Sequence, residues 1–282
     1  MEHPLIIIYS HVFKIFPVEG MRGLSIPEHL LPGGMKEVVT RKWSHIMISV
    51  ICVYNDRDIL NRFLLRNLRE SSDEYELILL DNTGGRFRSA AEALNHGAVM
   101  ASGDVFIFTH QDVEVSPEEL LQMESYSESN EELGVAGAAG VSAPFRVFSN
   151  MKHGDPPVNV GRRINGPVKV QTVDECLFMV PADVFRRYRF DEETCTGWHL
   201  CAVDYCLTVL AKGYDVCAIP VSAYHGSPGY SISEDYYSTM ELIIRKHRAP
   251  IICTSLGFYT PYIPMAIQRG FREFLIRRSI KR

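Results

Sequence analysis

The sequence lacks a basic excess. Its 29 Lys and Arg stand against 34 Asp and Glu, a formal net charge of −5, which argues against a nucleic-acid binder that would need cations for phosphates. It also lacks Cys-x-x-Cys spacing. The seven cysteines at positions 52, 176, 195, 201, 206, 217 and 253 sit mostly inside apolar segments. An odd number without a framework is the pattern of reduced thiols, and cytoplasmic localisation is expected. Long apolar runs are missing too. Leu5–Val18 is interrupted by His11 and Lys14 and preceded by Glu2, too short to span a bilayer and without the basic start of a signal peptide. It reads as a buried or edge strand, and no transmembrane helix is expected. There is no internal repeat, no low-complexity tract and no Gly-x-Gly-x-x-Gly: Gly134, Gly137 and Gly140 are spaced wrongly for that fingerprint and read as close strand packing.

What is present is an ordinary globular composition, 46% hydrophobic and 22% charged over 282 residues, enough for one large α/β domain or two small ones. A Pro/Gly-rich stretch (Pro27, Pro32, Gly33, Gly34) closes residues 1–45, which read as an N-terminal extension packed on a main domain. Residues 46–54 read as a buried strand. Asn55 and Asp56 can cap a helix over 57–70, with Leu60, Phe63, Leu64 and Leu68 on one face. A second strand at 75–80, a helix over 87–101 and a third strand at 104–108 complete a βαβαβ order, which means a parallel sheet. Ser116-Pro117 starts a helix reaching about Glu128. Beyond it come a strand at 133–141, a long loop at 142–169 and strands at 170–173 and 177–180. Helices at 182–189 and 201–213 and an extended segment at 218–223 follow.

The third strand carries the most information. In Asp104–Glu114, DVFIFTHQDVE, an apolar run breaks into His110, Gln111 and Asp112. An imidazole and a carboxylate two positions apart at a strand end suit a divalent cation, and the carboxyl ends of open α/β sheets are where ligands bind. A strand running into a plain polar loop is the other reading of the same residues. The other two strand ends carry Tyr54-Asn55 and Asp81-Asn82. An acid at the second end can accept from a nucleobase N–H or a ribose hydroxyl, and backbone amides near Tyr54 can meet the base from the other side. Each alone also reads as a turn residue.

Taken in order, ISVICVYN at 48–55, YELILLDNTGG at 75–85, Asn95-His96-Gly97, Ala101-Ser102-Gly103-Asp104 and FIFTHQDV at 106–113 resemble the GT-A glycosyltransferases, particularly the large inverting family 2. FDEE at 190–193 and WHLCAVDYCLTVLAKGYDV at 198–216 continue the resemblance, which covers about residues 45–226. It implies an α/β GT-A fold over 46–230, a mostly parallel central sheet flanked by helices, with a C-terminal helical segment at 231–282. It implies transfer of a sugar from a nucleotide-diphosphate donor (UDP-, GDP- or dTDP-sugar) to an acceptor hydroxyl on a glycan or lipid-linked molecule, with inversion and with Mn²⁺ or Mg²⁺. Tyr54, Asn55, Asp81 and His110 then fall in the nucleotide site and Asp112 and His225 on the metal. Asp204 matches the general base, and Asp174, Glu175, Trp198 and His199 border the acceptor. Two departures stand out. His110 takes the first position of the family's Asp-x-Asp, leaving His-Gln-Asp, and Val203 takes the Glu of its Glu-Asp pair. An imidazole in the metal shell would favour Mn²⁺ over the harder Mg²⁺. Residues 226–230 look like a flap over the diphosphate.

Because of those departures, a non-catalytic GT-A-like protein that binds nucleotide or glycan stays open. A sugar-nucleotidyltransferase is disfavoured, since YNDRDIL lacks the Gly-rich basic loop expected after the first strand. Near the C-terminus, Ile267, Phe271, Phe274 and Leu275 line one helical face, with Arg269, Arg272, Arg277, Arg278, Lys281 and Arg282 around them. That helix either rests on an anionic membrane as a peripheral contact or packs on the domain with a solvated basic face.

Overall fold

Both faces of the first strand in the main sheet are buried. Val50, Cys52 and Tyr54 point into one hydrophobic cluster and Ile51 into another, so helices must cover the sheet on both sides. The computed structural model describes residues 6–9, 12–15, 48–68, 74–227 and 233–279. The chain divides into two units, Met1–His45 and Ile46–Arg282. In the first, β1 (Ile6–Tyr9) and β2 (Val12–Ile15) pair as an antiparallel hairpin, where the sequence suggested one strand. The Pro/Gly-rich stretch lies outside the described residues.

The second unit opens with β3 (Ile48–Tyr54), α1 (Arg57–Arg62), α2 (Leu64–Asn67), β4 (Tyr75–Asp81), α3 (Ala90–Met100), β5 (Val105–His110), β6 (Val113–Glu114) and α4 (Pro117–Ser129). Next come β7 (Leu133–Gly137), β8 (Ala139–Ser142), β9 (Arg146–Ser149), β10 (Lys152–His153), β11 (Val158–Asn159), β12 (Val168–Lys169), β13 (Thr172–Val173) and β14 (Leu177–Pro181). The unit ends with α5 (Ala182–Arg187), α6 (Cys201–Leu210), β15 (Asp215–Ala218), β16 (Tyr224–His225), α7 (Glu234–His247), β17 (Ile252–Thr254), β18 (Gly257–Tyr259) and α8 (Met265–Ser279).

The main sheet has seven strands in the order β12-β15-β7-β14-β5-β3-β4. β3 pairs parallel with both β4 and β5, and β15 pairs parallel with β7. β14 enters antiparallel between β5 and β7, and β12 adds an antiparallel edge. The sheet is therefore mixed, parallel where the βαβ units run. One cluster joins Ile51, Phe106, Phe108, Phe178 and Val180 to α3, α5 and α6. The other joins Val50, Ile107 and Met179 to α1, α2 and α4 through Leu60, Leu64, Leu120 and Met123. Gly97 permits the tight seating of α3: a Cβ there would stand 2.6 Å from Ile51.

Three further sequence expectations change. The helix over 57–70 breaks at Phe63, whose φ −108°, ψ −81° leave helical space and whose ring lies 6.1 Å from that of Tyr224. The run at 133–141 divides between two sheets: β7 belongs to the main sheet and β8 to a three-stranded sheet with β9 and β13. Close packing explains its glycines, since a Cβ on Gly137 would lie 2.6 Å from Val173. The long loop at 142–169 contains four strands, and two of them, β10 and β11, build a small sheet ordered β11-β10-β16-β6. Among the described residues no helix is long and apolar enough to cross a membrane, and all seven cysteines are buried free thiols.

Candidate active site

Strand order reverses at β3: β4 follows it on one side and β5 returns on the other. Such a switch point opens a crevice at the carboxyl ends of the strands, and the polar strand ends found in the sequence meet there. Tyr54, at the end of β3, is buried and donates its hydroxyl to Asp81 Oδ2 at 2.9 Å, while Arg57 donates to that hydroxyl at 3.1 Å. Asp81 Oδ1 accepts from both the Oγ1 hydroxyl and the backbone N–H of Thr83. These bonds from Thr83, then the one from Tyr54, hold the exposed Asp81 carboxyl below its usual range.

Gln111 has a definite place. Its carboxamide oxygen accepts the backbone N–H groups of Asn55 and Asp56 at 3.0 Å each, and its amide donates to Asn55 Oδ1 at 2.7 Å. The middle residue of His-Gln-Asp thus ties the loop after β3 to the loop after β5. Asp56 accepts from the N–H groups of Asp58 and Ile59 and caps α1.

The small sheet gathers the metal-ligating types. β16 pairs antiparallel with β6, placing His225 opposite Val113, and parallel with β10, placing His225 opposite His153. Gly226 N–H donates to the Asp112 carbonyl at 2.8 Å. As a result His225 Nε2 lies 3.2 Å from Asp112 Oδ1, and the His110 and His225 rings are 5.5 Å apart. One donor atom from each of His110, Asp112 and His225 falls within 4.8 Å of the others. Two imidazoles and a carboxylate at that spacing could hold a first-row divalent cation. Burial pushes the Asp112 carboxyl up, but the hydrogen bond from His225 and its electrostatic interaction with His225 and His110 outweigh it and hold the group below its usual range. Behind this set, His153 Nδ1 lies 3.2 Å from His225 Nδ1, and its buried Nε2 has no hydrogen-bond partner. His153 falls in the aperiodic stretch 142–169, and no sequence signal marked it.

The residues expected at the acceptor are placed as follows. Asp174 accepts from Cys176 N–H at 3.1 Å. Burial would raise its carboxyl, but bonds from Ser255 and Cys176 hold it low. Glu175 Oε1 accepts Ala202 N–H at 3.0 Å, in the first turn of α6. That turn has no side-chain cap of its own because Leu200, at φ 72°, precedes it, so Glu175 supplies both an acceptor and a favourable charge to the helix N-terminus. Trp198 is exposed, and the His199 ring lies 6.0 Å from that of Tyr236.

Asp204 is not among the groups that converge with His110, Asp112 and His225. It is 2% exposed and both its oxygens are engaged by α7. Lys246 donates to Oδ2 at 2.7 Å, and His247 Nε2 lies 2.7 Å from Oδ1. Lys246 also reaches Asp191 Oδ2 at 2.8 Å. Each Asp204 oxygen thus already has one partner on α7. The segment 228–230, the distal part of the flap expected from the sequence, lies outside the described residues.

The chain matches no protein-family profile and no curated protein sequence. Solved structures do resemble it. GalNAc-T7 with UDP, GalNAc and Mn²⁺ superposes at a TM-score of 0.50 and 10% identity, over 71% of this chain and 48% of that one. The mannosyltransferase PcManGT from Pyrobaculum calidifontis, with GDP-Man and Mn²⁺, superposes at 0.48 and 13% identity, over 71% of this chain and 63% of that one. The matched part thus spans about half to two thirds of those proteins. The fold is that of the GT-A glycosyltransferases: a mixed α/β domain with a central sheet flanked by helices.

Proposed function

We propose that this chain is a glycosyltransferase that moves a sugar from a nucleotide-diphosphate donor to an acceptor hydroxyl. One observation carries the reading: His110, Asp112 and His225 converge at the sheet's switch point, beside the Tyr54–Asp81 pair. Tyr54, Asn55, Asp81 and His110 would line the nucleotide, and His110, Asp112 and His225 would hold Mn²⁺ in preference to Mg²⁺. When bound, the cation would neutralise charge on the leaving diphosphate. In the inverting reaction the acceptor oxygen attacks the anomeric carbon while the bond to the diphosphate oxygen breaks, and the acceptor proton passes to Asp204. That last step needs Lys246 and His247 to move. Asp174, Glu175, Trp198 and His199 would flank a glycan or lipid-linked acceptor.

The engaged Asp204 carboxylate favours a second reading, a GT-A-like domain that binds nucleotide or glycan without turnover. Thermal-shift titration with UDP, GDP, dTDP and CDP, with and without Mn²⁺, tests the site on wild type and Asp112→Ala. Stabilisation by one nucleotide that requires Mn²⁺ and is lost in the variant is expected. No Mn²⁺-dependent stabilisation by any of them overturns the donor site. Binding without hydrolysis or transfer of the matching nucleotide sugar selects the second reading.

A further inference from the structure

Residues 142–169 carry Arg146, Lys152, Arg162, Arg163 and Lys169 against Asp155 alone, in a chain of net −5. Lys169 pairs with Asp215 at 2.7 Å. Arg146, Lys152, Arg162 and Arg163 are exposed and make no ion pair among the described residues. Beside Arg146 lies an exposed aromatic pair. The rings of Phe145 and Phe258, 39% and 53% exposed, meet edge to face with centroids 6.4 Å apart. Phe145 sits at φ 91° in the turn between β8 and β9. That backbone strains a bulky residue, and such strain gathers at ligand clamps. The turn thus holds a large ring toward solvent where a glycine would fit without strain.

Two routes tie this surface to Asp174. Along the backbone, Asp174 N–H donates to the Ala139 carbonyl, Ala139 pairs with Ser149, and Ser149 N–H donates to the Arg162 carbonyl. Three strand spacings put Arg162 about 14 Å from Asp174, within the reach of a short oligosaccharide. Through the β17–β18 hairpin, Ser255 in the turn bonds Asp174, and Phe258 on β18 meets Phe145. We propose that Phe145, Phe258, Arg146, Arg162 and Arg163 form an outer acceptor subsite for an anionic glycan. The rings would pack on the C–H faces of its sugars, and the guanidinium groups would grip its carboxylates or phosphates. The inference rests on the acceptor side proposed at Asp174 and names the substrate class that would fill it. A glycan is favoured over an anionic bilayer because the patch continues by backbone bonds to Asp174, so that one extended chain can occupy both.

Calorimetric titration of the full chain tests it with three probes. These are oligogalacturonate for carboxylates, a phosphomannan oligosaccharide for phosphates, and methyl-esterified oligogalacturonate as the neutral control. At least one anionic probe should bind and the neutral one should not, and the probe that binds names the anion. Arg162→Gln/Arg163→Gln should weaken binding about tenfold or more. Phe258→Ser should weaken it too. So should Phe145→Asn, since asparagine tolerates a left-handed backbone and only the ring is lost. All three variants should keep the wild-type melting temperature, because the altered side chains are exposed. No binding of either anionic probe overturns the proposal, and so does anionic-probe binding unchanged in Phe258→Ser and Phe145→Asn, which would be mere charge attraction. Flotation with phosphatidylglycerol vesicles, lost in the same variants and without glycan binding, overturns it in favour of a membrane surface. Mn²⁺-dependent nucleotide binding is read separately. If it fails while the glycan binds, the donor site falls and the subsite stands; the reverse result removes the subsite alone.

Discussion

The ammonium of Lys246 stands 2.7 Å from the carboxylate of Asp204, an acid with 2% of its side chain exposed. The pair fastens α7 to α6, alongside the apolar contacts among Val203, Leu207, Met240 and Ile243. Removing a partner from a buried ion pair leaves an uncompensated charge. Lys246→Met should therefore lower unfolding stability by about 3 kcal/mol, read from urea denaturation. A change within error would mean that His247 alone satisfies the acid.

Lys246 also sets an acid limit. Burial pushes the Asp191 carboxyl up, but the hydrogen bond from Lys246, then those from Thr194, outweigh it and hold the group well below its ordinary value of 3.8. The unfolded chain therefore takes up this proton at a higher pH than the folded one. The contribution to stability is complete above that ordinary value and is lost as pH falls through the lower folded value. Stability measured from pH 5 downward should drop less steeply in Lys246→Met than in wild type. Parallel slopes would remove Asp191 from the acid transition.

Asp204→Asn separates the structural role of that acid from the catalytic one proposed for it. Loss of transfer with Mn²⁺-dependent nucleotide binding retained is expected if Asp204 takes the acceptor proton. Retained turnover would sink the base assignment, whatever happens to the melting temperature.

His153 should tune the metal site without touching the metal. Its Nδ1 faces His225 Nδ1 at 3.2 Å, a contact that orients the His225 ring so that Nε2 points toward Asp112. His153→Leu should weaken Mn²⁺ binding about tenfold or more, read by titration of the chain with Mn²⁺ alone. His153→Asn, which keeps a polar atom near the Nδ1 position, should recover much of it. Equal loss in both variants would argue for packing rather than orientation.

Much of this was legible beforehand, for a physical reason. β3, β5 and β14 are buried on a two-faced sheet and so read as continuous apolar runs, β4 at the sheet's edge is half-buried but still mostly apolar, and Tyr54, Asp81, His110 and Asp112 are found by asking where those runs stop. His225 was reached through the resemblance, and the geometry brings it to Asp112. What stayed hidden lies in segments without a period. The two residues of β10 are too few to alternate, so His153 looked like loop. Lys246 and His247 carry no sequence signal of their own, since basic residues in the last turn of a helix are ordinary, and only tertiary packing reveals that they face Asp204. The role of Gln111 is hidden differently: two of its three hydrogen bonds go to backbone N–H groups, which leave no trace in side-chain patterning.

The sheet that joins His153, His225 and Asp112 is built from strands of two residues each, against strands of up to seven in the main sheet. So little ladder holds the donor set that it should open without global unfolding. Amide protons of residues 152–153 and 224–226 should exchange with solvent well before those of β3 and β5, and Mn²⁺ should slow the first group alone. The chain would then assemble its metal cradle from a locally soft patch on a rigid platform, and cation binding would complete the local fold.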